Sequence, residues 1–466
     1  MIATFNRNRF KILHVLLLIL ITVVFRLPTF LLSHNNNDEL IHLSLAKKIE
    51  SYGASVFEKQ EYNLLYIDKV FDPENKLIGI FEGERKIGSL LQGFLGERSQ
   101  VSHHPPLIPA FIAISHKIFS NNYVYLVNVS KDFYLMLRNA PIQFYACIVQ
   151  FLFSLLLILS VYFLGCLFFS HKIGWLSAFF LSLTPIELLT ANKIWADDMT
   201  AFFAVLAVIL HLYSLKSDKP LLSLFAGVSC GLAIITKMSA VYIIFTVSLF
   251  HLFEHRKDEV NVRNISSFLF DRKILYFLAG AFITSAWWFN LYYSYFNLRT
   301  VGMYLKVNEP SHVLKNWNRY FSFVSLRPWY SYFVLVPFQF PLYILSYIFI
   351  PLFTFRNKIK SFGELIGKEY RYLQFLIIWI VLTFIFLSLK PGKELRYMLI
   401  AFPAIATLSA YCLNLFYEWL NNENSGLSIG LVRLFIISII FVSLAYSLKI
   451  ALPKVLFRAD FIPIPL

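Results

Sequence analysis

Residues 141–166 read PIQFYACIVQFLFSLLLILSVYFLGC, without a single Asp, Glu, Lys or Arg. That run exceeds the roughly 20 apolar residues a helix needs to cross a bilayer. Its apolar residues are consecutive rather than alternating, which excludes a membrane β-barrel. Comparable runs recur at positions 12–32, 173–190, 197–215, 221–236, 238–253, 274–297, 331–354, 373–389, 397–417 and 431–449. Together they predict an all-α, polytopic membrane protein with about eleven spans.

Composition points the same way. Of 466 residues, 58% are hydrophobic and only 15% are charged, whereas a soluble domain carries about 25% charged residues. The net charge is +15. In a soluble chain that excess would suggest nucleic acid. Here the cations are spread over short loops between apolar runs, which suits lipid headgroups and a topology signal. Cys147, Cys166, Cys230 and Cys412 all lie inside apolar runs without a metal-ligand spacing, so they read as packing residues. No Walker A loop and no GxGxxG following a strand is present, so a nucleotide cofactor has no support.

Arg7, Arg9 and Lys11 precede the first apolar run. That run is too long for a signal peptide and lacks a small-x-small cleavage site, which predicts an uncleaved span with a cytoplasmic N-terminus. Arg26 lies near its outer end, where an arginine can snorkel to the interface. Residues 33–138 form the one long polar segment and hold 12 of the 27 acids. They are expected to lie outside the cytoplasm. Within them, 105–119 is short, opens with two prolines, and is expected to lie on the membrane rather than span it. The loops 254–273 and 355–371 then fall inside and 298–330 outside, each with five Lys or Arg, so the positive-inside rule gives this topology only weak support. Asn264-Ile265-Ser266 would sit in an inner loop and escape glycosylation. The domain expectation is a single transmembrane unit over 1–466, with outer loops at 33–138 and 298–330.

Four polar clusters fall on the outer face in this topology. Asp38-Glu39 follows the first span and could simply favour a helix N-terminus. His103-His104 precedes Pro105-Pro106, and adjacent histidines do not have the i,i+4 spacing of helical metal ligands. Asn192–Asp198 lies between two spans, with Glu187 just upstream. Carboxylates entering an apolar helix are costly and mark a site. Asp197 and Asp198 would diverge by about 100° on a helix, so one of them should face the cleft. Lys390–Tyr397 is a tight cationic loop suited to a phosphate group. Lys237 sits at the tip of a short hairpin, where it could serve only to snorkel. Trp287-Trp288 reads as an interfacial aromatic pair.

The order of these clusters carries a resemblance. Asp38-Glu39, then HHPPL at 103–107, then Asp197 entering a span, then GLAIITK at 231–237, then KPGKELRY at 390–397 followed by Pro403 is similar to the GT-C superfamily of membrane glycosyltransferases. More narrowly, it resembles the bacterial transferases grouped with dolichyl-phosphate-mannose–protein mannosyltransferases and the lipid A aminoarabinose transferase. The likeness extends over about 10–415 at the level of spacing. It implies an enzyme that moves a sugar from a polyprenyl-phosphate donor to a glycolipid or protein acceptor, with inversion, at the outer face of a bacterial cytoplasmic membrane.

By the same resemblance, Asp38 with its neighbour Glu39 supplies the catalytic carboxylate and Asp197 the second acid, five residues before Phe202-Phe203. Asp198 is the weaker match. Lys390, Lys393, Arg396 and Tyr397 correspond to the cationic motif at the lipid phosphate, with His104 assigned alongside them. His103 and Lys237 are further substrate-side candidates. The pair before the prolines often contains Lys or Glu in that group, and here it is His103-His104. A divalent metal is compatible with the reaction but has no clear ligand set. Rival readings are a polysaccharide polymerase or ligase and a secondary transporter; intramembrane charges at midplane would favour the transporter.

Overall fold

The computed structural model describes residues 2–30, 37–58, 64–65, 100–101, 104–119, 144–255, 271–295, 330–347, 371–388, 394–422 and 429–456. Helix dominates them. β1 (Leu64–Leu65) and β2 (Gln100–Val101) form a two-residue antiparallel pair. The helices begin with α1 (Ile2–Arg26), α2 (Asn37–Tyr52), α3 (Ser55–Glu58) and α4 (Leu107–Phe119). Next come α5 (Phe144–Phe168), α6 (His171–Ser182), α7 (Pro185–Ala191), α8 (Asp197–Ser217), α9 (Pro220–Thr236), α10 (Tyr242–His255) and α11 (Arg272–Tyr295). The chain closes with α12 (Ser331–Leu335), α13 (Ile344–Tyr347), α14 (Arg371–Ser388), α15 (Phe402–Asn422) and α16 (Ile429–Leu456).

Among the described residues, α5, α8 and α14 are long and apolar enough to cross a membrane, and α6 with α7 makes a fourth crossing if the bent pair counts as one. Two of the expected spans are broken, in both cases at proline. The run at 173–190 bends by 67° between α6 and α7. Pro185 starts α7 and holds Thr184 extended at φ −70°, ψ 123°, because the residue before proline is pushed out of the helical region. The run at 331–354 is divided between α12, a 3₁₀ turn at Pro341–Tyr343 and α13, and Pro337 and Pro341 stand where the helix stops. The 13 residues of α4 span only about 20 Å, too short for the ~30 Å hydrocarbon layer.

Helix packing in a bilayer gains little from the hydrophobic effect and depends on close backbone approach. The α9–α11 contact shows how the sequence provides it. Gly227 and Gly231 form a GxxxG pair on α9, and Gly280 answers from α11. A Cβ on Gly227 would overlap the Phe277 carbonyl oxygen, and one on Gly280 would overlap that of Leu224. Between α5 and α8 larger side chains do the packing, with Phe153 against Phe202 and Phe203 at ring-centroid distances of 5.7 Å in each case.

The 21 residues of α8 cover about 31 Å, one bilayer thickness. Polar groups collect at both of its ends. At its C-terminal end His211 meets His251 at 3.1 Å, and Lys273 pairs with Asp218 at 2.6 Å. At its N-terminal end stands the larger cluster.

Candidate active site

Four segments converge at the start of α8: the 192–196 turn before it, the end of α9, the 3₁₀ turn Leu395–Ile400 ahead of α15, and α2, against which α4 packs. The turn is tight. The Lys193 amide donates to the Thr190 carbonyl at 3.1 Å, and the Trp195 amide to the Lys193 carbonyl at 2.9 Å. Glu39 of α2, 2% exposed, accepts a hydrogen bond from the Ile194 amide at 3.0 Å. That bond fastens the first polar segment onto the turn.

Asp197 opens α8, where its charge suits the helix dipole. Its Oδ1 accepts from Lys237 Nζ at 2.5 Å, with the two side chains 3% and 20% exposed. Burial pulls the Lys237 ammonium below the ordinary lysine range, against the opposing attraction of Asp197. The ammonium also lies 4.3 Å from the Tyr397 ring centroid, a cation–π distance. Arg396 extends the same pattern, with its guanidinium 4.2 Å from the Trp195 ring centroid and 5.5 Å from that of Tyr397. Lys193 Nζ lies 5.1 Å from the Trp195 ring. Glu394 balances part of this charge, accepting from Arg396 Nε at 2.5 Å and from the Tyr397 hydroxyl at 3.2 Å. Three cations, two aromatic rings and two carboxylates thus form one continuous patch.

Asp198 points elsewhere. It is fully buried, and the Thr190 hydroxyl donates to its Oδ1 at 3.2 Å. The divergence expected of adjacent helical residues is therefore present, and Asp197 is the one facing the cations. Behind the patch Arg26 is fully buried. It pairs with Glu187 and donates to Ser154 Oγ at 2.5 Å and to the Thr22 carbonyl at 3.0 Å. Ser154 in turn donates to Glu187 Oε1 at 2.6 Å. The expectation that Arg26 snorkels to the interface is corrected. A carboxylate 161 residues away in sequence holds it inside the bundle, a partner that local sequence cannot reveal. Lys237 likewise does more than snorkel, since it binds Asp197.

The remaining sequence candidates divide by position. His104 stacks edge-on against His42 at 5.0 Å and 87°, on the α2–α4 side of the cluster. Asp38 stands beside Glu39 at the start of α2, and its side chain lies outside the described residues. His103, Lys390 and Lys393 lie outside them altogether. Trp195, Glu394 and Lys193 belong to the patch but were given no role from sequence. The signal available was the alternation of cations and aromatics in NKIW and KELRY. Among the described residues no group of three or more His, Cys, Asp or Glu side chains is arranged to hold a metal ion.

The chain is similar to known membrane proteins. Residues 94–301 match the family described as dolichyl-phosphate-mannose-protein mannosyltransferase, a stretch that includes the 192–196 turn, Asp197 and Lys237. No curated protein matches by sequence. The oligosaccharyltransferase AglB of Archaeoglobus fulgidus, solved with an inhibitory peptide and a dolichol-phosphate, superposes with a TM-score of 0.57 at 14% identity, covering 96% of this chain and 56% of that one. The Archaeoglobus enzyme tethered to an acceptor peptide gives 0.58 at 16% identity, again over 96% and 56%. ArnT from Cupriavidus metallidurans bound to undecaprenyl phosphate gives 0.53 at 14% identity, over 97% and 73%. The fold is GT-C.

The chain spans 56% of the length of the archaeal enzymes it matches. At such identities the likeness is one of architecture. What the patch can do follows from its charges. Lys237, Arg396 and Lys193 can hold an anion, and α8, beginning with two acids, offers a carboxylate beside it.

Proposed function

We propose that this protein is an integral membrane glycosyltransferase that transfers a sugar from a polyprenyl-phosphate donor to a hydroxyl or phosphate of an envelope glycolipid, or of a protein. The carrying observation is the convergence of Lys193, Lys237 and Arg396 with Asp197 and Glu39 at one end of the membrane helices. A lipid phosphate has its charge at the membrane surface and its chain in the bilayer, which suits cations mounted at helix ends.

In the proposed reaction the acceptor oxygen attacks the anomeric carbon from the face opposite the phosphate, while the bond from that carbon to the phosphate oxygen breaks. The polyprenyl phosphate leaves with the bonding pair. Arg396, with Lys390 and Lys393 of the same loop, stabilises that charge. Asp38 takes the acceptor's proton, and a single displacement inverts the centre. Glu39, tied to the Ile194 amide, serves to place α2 and hence Asp38. Lys237 fixes Asp197 beside the donor. In this reading the patch faces the outside of a bacterial cytoplasmic membrane.

The test is turnover by purified protein in lipid nanodiscs given undecaprenyl-phosphate sugars and, separately, nucleotide sugars. Sugar release from the lipid-linked donors alone is expected. Release from nucleotide sugars alone, or from neither, would overturn the proposal.

A further inference from the structure

The cations account for a phosphate and leave one part of the patch without a task. Three buried polar atoms in four consecutive residues have no hydrogen-bond partner among the described residues: Trp195 Nε1, Asp197 Oδ2 and Asp198 Oδ2. Asp197 is only 4% exposed. A buried polar atom left unpaired costs about 1–3 kcal/mol, so such groups usually serve a ligand or hold water. Asp198 points away from the cations, so the set at the patch is one neutral donor, Trp195 Nε1, and one carboxylate acceptor, Asp197 Oδ2. A carboxylate oxygen repels a phosphate and accepts readily from hydroxyls, so the ligand facing this pair is a neutral polyhydroxy group rather than an anion.

The geometry points to a sugar-reading subsite in the Trp195–Asp197 turn: Trp195 Nε1–H donates to a hydroxyl of the donor's sugar, and Asp197 Oδ2 accepts from one. This rests on the glycosyltransferase reading above and adds where the choice of sugar is made. The turn is built to hold that position. Lys237 pins the other Asp197 oxygen at 2.5 Å, which fixes the direction in which Oδ2 points. Glu39 ties down Ile194, the residue before Trp195. The guanidinium of Arg396 rests on the Trp195 ring itself at 4.2 Å, so one indole would register the phosphate end and the sugar end of a single donor. Asp198, deeper and held by Thr190, supports the turn from below.

The experiment compares binding of undecaprenyl phosphate, its mannosyl, glucosyl and arabinosyl forms, and their single-deoxy analogues, by the full chain in nanodiscs. Trp195→Phe keeps a ring beneath Arg396 and removes the N–H. It should weaken the preferred sugar-bearing lipid by about 3- to 10-fold, the effect of one neutral hydrogen bond, and leave undecaprenyl phosphate unchanged. Trp195→Leu, which also removes the ring, should weaken both. In the unmutated protein at least one deoxy donor should show the same 3- to 10-fold loss, and that loss should vanish in Trp195→Phe. Equal weakening of the sugar-free lipid by Trp195→Phe would overturn the inference by assigning the indole to the phosphate. No change with any donor would overturn it by leaving water on the N–H. If Trp195→Phe does not fold, the deoxy series on the unmutated protein decides alone, and indifference to every hydroxyl overturns the subsite. Failure of the unmutated protein to bind any of these lipids would overturn the glycosyltransferase reading and this subsite with it.

Discussion

Lys237→Met removes an ammonium from beside a buried carboxylate without changing the length of the side chain much. In the native protein Lys237 Nζ lies 2.5 Å from Asp197 Oδ1, with the partners 20% and 3% exposed. Breaking a buried pair from one side costs about 3–5 kcal/mol, because the remaining charge has lost its water and its partner. Lys237 keeps one-fifth of its surface, so the expected loss lies at the lower end, about 3 kcal/mol. The cation–π contact with Tyr397 at 4.3 Å is lost as well and adds about 0.5–1 kcal/mol.

The informative measurement is a double-mutant cycle on unfolding free energy in mixed micelles, using Lys237→Met, Asp197→Asn and the combination. Once Asp197 is neutral, losing the lysine should cost little, so the two changes should couple by about 2 kcal/mol or more. Activity should not follow stability, because the double variant keeps the fold while lacking both charges of the patch. Additive effects, with coupling below about 0.5 kcal/mol, would show that Lys237 snorkels to the surface. They would remove Asp197 from the patch.

The other outcomes are checked more directly. Asp38→Asn should abolish transfer with donor binding intact; retention of more than about a tenth of the activity, a barrier change under ~1.4 kcal/mol, would remove it as general base. Arg396→Lys should weaken donor binding and Arg396→Ala should weaken it further, by roughly 10- to 150-fold, as expected for a lost charge-assisted hydrogen bond; unchanged donor titrations would move the phosphate elsewhere. Because burial lowers the Lys237 pKa, the alkaline fall in kcat/KM should begin below the ordinary lysine value of about 10.4, since the depressed group loses its proton earlier as pH rises. Lys237→Arg should push that fall upward, and an identical pH profile would detach it from Lys237. In a background without the four native cysteines, Tyr52→Cys should react with an impermeant thiol reagent from outside and Asp218→Cys should not, both positions being exposed; the reverse pattern would invert the topology.

The sequence revealed what depends on composition and short spacing and hid what depends on distant partners. Unbroken apolar runs identify membrane helices because the bilayer demands length and internal hydrogen bonding, and the run of α5 needed nothing more. The all-α membrane architecture expected from these runs is the one the solved neighbours share. Span continuity was misjudged at Thr184-Pro185 and at Pro337, where hydropathy averages over a residue whose backbone effect is local. Arg26 was misplaced for a different reason. Near a helix end an arginine's environment is set by its partner, and Glu187, Ser154 and the Ser182 carbonyl, 3.3 Å from its guanidinium, come from helices assembled more than a hundred residues later. The same holds at the patch. Asp197 carried a signal of its own because a carboxylate at the head of an apolar helix is costly, whereas Lys237, named as a substrate-side candidate in the GLAIITK motif, had no sequence signal that tied it to Asp197. Trp195 was harder still. Tryptophan at a membrane interface is ordinary, and only the guanidinium resting on its ring and its unpaired N–H distinguish it. Charge in a membrane therefore announces a site from sequence, but which partners it meets, and which ring carries them, is decided by the packing of helices far apart in the chain.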